Sequence, residues 1–89
     1  MMTELRELLD KKGVPWEGSD EHTVFDSGFE THVDRTTIDG VGSVIYSWIR
    51  DEDGRKRGDS RGYPAYLELQ SGDDLRIVTP QEVADECSR

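Results

Sequence analysis

The chain has 89 residues, 33% of them hydrophobic and 35% charged, with a formal net charge of −9. This length supplies one domain, 1–89, with a thin core drawn from two Trp, three Tyr, two Phe and scattered Leu, Ile and Val. The acid surplus excludes a general nucleic-acid binder, which needs Lys and Arg to meet phosphate, and disfavours an anionic membrane. The one cysteine, Cys87, has no partner for an internal disulfide. No run approaches the roughly 18 apolar residues of a membrane span, and no signal pattern opens the chain, so the expectation is a soluble cytoplasmic protein.

The first predicted element is a helix. Thr3 is placed to cap it, Leu5, Leu8 and Leu9 recur at helical spacing, and Lys11 and Lys12 suit its C-terminal dipole. Gly13 is placed as the left-handed C′ residue, with Val14 returning to Leu9 in a Schellman closure before Pro15. From Trp16 to Glu21 the chain reads as an acidic turn. His22–Phe25 and Phe29–Val33 read as two strands joined by Asp26-Ser27-Gly28, and Thr36-Thr37-Ile38 either extends the second or begins another.

Asp39-Gly40 is a turn signal leading into Gly42–Arg50, the longest β-branched and aromatic run and the predicted central strand. Val44, Tyr46 and Trp48 share one of its faces, and Ile45 and Ile49 the other. Asp51–Gly62 reads as a loop without an apolar residue. Pro64–Gln70 alternates, with Ala65, Leu67 and Leu69 on one face. A Ser71–Asp74 turn then leads to Leu75–Val78, with Leu75 and Ile77 expected inward. Thr79-Pro80-Gln81-Glu82 is a capping box with Pro at N1, and Val83, Ala84 and Cys87 share one side of the helix it starts. The predicted fold is α+β: a small two-layer domain, with an antiparallel sheet of about four or five strands and a short helix at each end of the chain.

No catalytic or cofactor signature accompanies this fold. Gly40-Val41-Gly42 precedes a strand and lacks the third glycine of a dinucleotide loop. Asp51-Glu52-Asp53-Gly54 opens like a calcium loop, but Lys56 stands where an EF-hand needs Gly and Gly62 where it needs Glu. His22 and His32 lie on paired strands, yet zinc needs further ligands and Cys87 is far along the chain. They read as exposed strand histidines, and no metal or cofactor is expected.

Charge is more informative. Residues 17–39 hold seven acids, Glu17, Asp20, Glu21, Asp26, Glu30, Asp34 and Asp39, against one base, Arg35. Glu30, His32 and Asp34 share a strand parity, which projects carboxylates at intervals of roughly 7 Å from one sheet face. That is a spacing suited to mimicking a phosphate backbone, and it is equally that of a solvated outer face. The bases Arg55, Lys56, Arg57 and Arg61 cluster in one loop.

Glu4-Leu5-Arg6-x-Leu8-Leu9-Asp10-x-x-Gly13-Val14-x-Trp16, with Thr79-Pro80-Gln81-Glu82-Val83, resembles a group of short uncharacterised proteins carried by prophages and mobile elements of gut actinobacteria. The resemblance covers about twenty residues at the two ends. It departs in the order Gln81-Glu82 and in lacking an alanine-rich tail. It implies a phage accessory context, in which small acidic proteins inhibit host nucleases and anti-CRISPR proteins are common. The resulting expectation is a non-enzymatic inhibitor whose acids of residues 17–39, with Tyr46 and Trp48, cover the basic nucleic-acid groove of a host protein such as a CRISPR effector. The alternative is a phage accessory or structural domain that self-associates as a homodimer, and a third reading makes the basic loop a nucleic-acid finger.

Overall fold

Two tight turns set the registers on which the sheet is built. The computed structural model describes residues 1–58 and 66–87. At the first turn Phe25 N–H donates to Phe29 C=O at 2.8 Å and Gly28 N–H to Phe25 C=O at 2.9 Å, with Gly28 at φ 92°. Strand β1 (Glu17–Val24) therefore meets β2 (Glu30–Ile38) with His22 opposite His32. The second turn, closed by Val41 N–H to Ile38 C=O at 3.1 Å, pairs β2 with β3 (Gly42–Arg50) and sets Trp48 opposite His32. Thr36–Ile38 thus extends the second strand.

The other edge of β3 is shared. A two-residue strand, β4 (Lys56–Arg57), lies beside Ile49 and Arg50, and β5 (Leu67–Ser71) lies beside Ser43–Tyr46. Strand β6 (Asp74–Val78) completes the antiparallel order β1-β2-β3-β5-β6. Gly42 is required where β3 starts: at φ 139° any Cβ there would stand 2.3 Å from Gln70 O.

Helix α1 (Met2–Lys12) closes as expected, with Gly13 at φ 70° and Val14 N–H bonded to Leu9 C=O at 2.9 Å. Helix α2 (Pro80–Glu86) carries the full capping box, Thr79 accepting from Glu82 N–H at 3.2 Å and Glu82 from Thr79 N–H at 3.1 Å. Both helices lie on one sheet face. Met2, Leu5 and Leu9 of α1 and Val83 of α2 pack with Ile38, Val44, Leu67, Leu69 and Val78 into a single core.

Several expectations are corrected. Helix α1 starts one residue before Thr3, with Met1 as N-cap and no side-chain cap, and Met2 joins the buried stripe. Trp16–Glu21 is not a turn, because Glu17–Glu21 pair with β2. Leu75 and Ile77 point outward, 61% and 63% exposed, because the β5–β6 register puts Val78 opposite Leu67 on the core side. The stretch after Arg50 contains a turn and β4, while Asp59–Gly62, Pro64 and Ala65 lie outside the described residues.

Candidate functional site

Strands of eight or nine residues run roughly 27–30 Å, whereas an eleven-residue helix covers only about 16 Å. The helices cover the end of the inner face where β2 meets the β2–β3 turn. The molecule, 45 × 23 × 18 Å, is drawn out accordingly. No helix among the described residues lies over the far half of the inner face, and that is where the chemistry-bearing side chains collect.

Arg6 marks the boundary. Its Nε donates to the buried Thr36 hydroxyl at 2.9 Å, and its Nη2 donates to Arg35 C=O at 3.0 Å and to Asp20 Oδ1 at 3.2 Å. The guanidinium also lies over the Trp16 ring, 4.9 Å from its centroid. Gly18 permits this, since a Cβ there would come within 2.9 Å of Trp16 and 3.0 Å of Arg6.

Beyond Arg6 the rows follow from the register. Asp20, Asp34 and Tyr46 form one, His22, His32 and Trp48 the next, and Val24, Glu30 and Arg50 the last. The middle row is a continuous aromatic stack: His22 and His32 are 4.0 Å apart between ring centroids, and His32 and Trp48 3.8 Å apart. Cations border it. Lys56 Nζ lies 4.7 Å from the Trp48 ring centre and 5.5 Å from that of Tyr46, and Arg50 Cζ lies 5.5 Å from Trp48. Glu30 ties two rows together, with His22 Nε2 2.6 Å from its Oε1 and Arg50 Nε 3.3 Å from its Oε2.

His32, held between two rings, has its imidazole pKa pushed below the ordinary value, chiefly by burial and then by the neighbouring His22. Its Nε2 is shut from solvent and has no hydrogen-bond partner among the described residues. One ring nitrogen of each histidine and a Glu30 carboxylate oxygen lie within 4.8 Å of one another. This trio was missed in the sequence because only the histidines and the distant Cys87 were weighed as ligands. Glu30, two residues before His32 on the same strand, is the third donor.

The acids of residues 17–39 do not form one surface. Asp20, Glu30 and Asp34 are on the inner face, Glu17 and Glu21 on the outer, and Asp26 and Asp39 at the two turns. The shared parity of Glu30, His32 and Asp34 holds, but Glu30 is neutralised by Arg50. Glu17 and Asp39 come together beside Pro15 and Trp16, around a shallow depression. Tyr46 and Trp48, both half-buried, do share the far inner half with Asp20 and Asp34.

The basic loop is also committed. The Asp51 carboxylate accepts from Asp53 N–H at 3.1 Å, Arg55 N–H at 2.9 Å and Arg57 Nε at 2.8 Å. It is a turn brace, and its oxygens are already used. Arg61 of the expected nucleic-acid finger lies outside the described residues. Cys87 packs against the core, and burial raises its thiol pKa.

No helix among the described residues is long and apolar enough to cross a membrane. No protein-family model, curated protein or solved structure matches the chain.

Proposed function

We propose that the protein is a non-enzymatic binding protein whose contact surface is the helix-free half of the inner sheet face. The partner is a protein with a basic, nucleic-acid-binding surface, and a mobile-element inhibitor of an effector such as a CRISPR complex is the setting implied by the resemblance at its ends. One observation carries the reading. The half-buried rings of Tyr46 and Trp48 stand on the inner sheet face next to Asp20 and Asp34, two acidic residues set directly opposite each other. Like charges so placed oppose folding, and the Arg6 guanidinium at Asp20 offsets part of that repulsion. A cationic partner side chain entering between them would relieve that repulsion, while the flanking rings supply the apolar anchor that acids alone lack. The anchor therefore shifts from the seven dispersed acids to these four residues.

The test is retention from a gut actinobacterial lysate on the immobilised protein, followed by competition with single-stranded DNA. A nucleic-acid-binding protein should be held at low salt, released at high salt, and lost with Asp20→Ala plus Asp34→Ala and with Trp48→Ala. Equal retention by these variants would remove the proposed surface.

A second reading has its own observation. Edge strand β6 exposes Leu75 and Ile77 on the outer face, which no described element covers. Such an edge favours pairing with a second copy, the accessory-domain alternative. Light scattering discriminates: a dimer abolished by Ile77→Lys supports self-association, and a monomer leaves the inner face as the binding surface.

A further inference from the structure

The donors His22, Glu30 and His32 answer a question separate from the protein partner. Both histidines of the chain sit in this one place. Two adjacent strands supply three donors on one face: His22 and His32 directly across from each other, and Glu30 two residues along β2. Two imidazoles and a carboxylate are a donor set for a borderline divalent ion and a poor one for Ca²⁺ or Mg²⁺, which prefer oxygen alone.

The surroundings orient each donor. Trp48, stacked within 2° of parallel, fixes the plane of His32. Its Nε2, enclosed and unpartnered, is a nitrogen lone pair or N–H with nothing yet to meet. Arg50 holds Oε2 of Glu30 and leaves Oε1 turned to His22, so the carboxylate is aimed by an outer contact of the kind that tunes metal ligands. His22, its side chain 49% exposed, is the adjustable member. Donors bound at about 2.0–2.2 Å must approach one another more closely than the present 4.8 Å limit, so the exposed His22 side chain is the one to adjust.

We propose that His22, Glu30 and His32 form a binding site for one divalent transition-metal ion of the zinc class, with its remaining coordination positions open to water. The half-exposed His22 side of the site is where an outside donor would enter. The bound ion replaces the present His22–Glu30 hydrogen bond and separates the two stacked imidazoles.

Zinc titration of the full chain tests this, read by calorimetry and by imidazole NMR signals, which only two residues can produce. The expected result is one ion per chain, with both imidazoles shifting together and saturating at the same point. His22→Ala and Glu30→Gln should each weaken zinc by about 10–100-fold, at least the cost of losing an outer-shell partner. Both sites lie outside the helix-covered core, and an unchanged melting curve without metal separates lost ligation from lost folding. Calcium should give no response at these imidazoles. The proposal is overturned by a response from one imidazole only, by full zinc affinity in Glu30→Gln, or by calcium competing on equal terms, which would mark a diffuse acidic attraction.

Discussion

The imidazole of His32 and the indole of Trp48 lie face to face across β2 and β3, ring centres 3.8 Å apart and planes 2° from parallel. This contact stiffens a part of the sheet that no helix among the described residues covers. Truncating Trp48 to Ala removes it, together with the ring under Lys56 and Arg50. An aromatic pair contributes about 0.5–1.5 kcal/mol beyond its buried area. Trp48→Ala should lower the urea midpoint by at least that equivalent, and Trp48→Phe should recover part of it.

Gly42 controls where β5 joins β3. Its φ of 139° and the 2.3 Å approach of Gln70 O to an added Cβ leave no room for a side chain. Gly42→Ala should cost about 2–3 kcal/mol through backbone strain and overpacking, read as a lowered thermal midpoint. Gly13→Ala meets no neighbouring atom and should cost less, since only its positive φ of 70° is penalised.

The two faces of the β5–β6 hairpin should respond oppositely. Leu67 is fully buried, so Leu67→Ala should destabilise by about 2–5 kcal/mol. Leu75→Lys and Ile77→Lys replace exposed side chains and should stay within about 0.5 kcal/mol of the parent in a monomer. A larger loss that depends on protein concentration would reveal a covered outer face, so chemical denaturation at two concentrations makes the comparison.

Asp51 provides a pH marker. The Arg57 guanidinium first, and the Arg55 backbone N–H next, hold its carboxyl below the ordinary value of 3.8. A depressed carboxylate contributes stability above that ordinary value and loses it as pH falls through the lower folded one. The Asp53 and Arg55 amide signals, which report these hydrogen bonds, should titrate with a midpoint below 3.8. Asp51→Asn should abolish that titration and loosen the pairing of Lys56–Arg57 with β3.

Local rules written in adjacent residues decided the helices and the central strand. Gly13 and Val14 close α1 and the Thr79–Glu82 box opens α2 because each cap is satisfied within six residues of chain. The division of Val44, Tyr46 and Trp48 from Ile45 and Ile49 is likewise fixed by the two-residue period of a strand. The expectation failed where a choice depends on register. Leu75 and Ile77 alternate as an inward pair would, yet a one-residue difference in pairing sends Val78 to the core instead. The seven acids of 17–39 looked like one surface because sequence distance hides which face and which turn each occupies.

Only the tertiary structure decided that His22, Glu30, His32 and Trp48 meet. Their spacing becomes a cluster once two successive turns align three strands, and it lies beyond the described helices because the strands outrun them. Composition determined an acidic chain with a thin core; the meeting of hairpin register and helix length determined where its rings and charges face solvent.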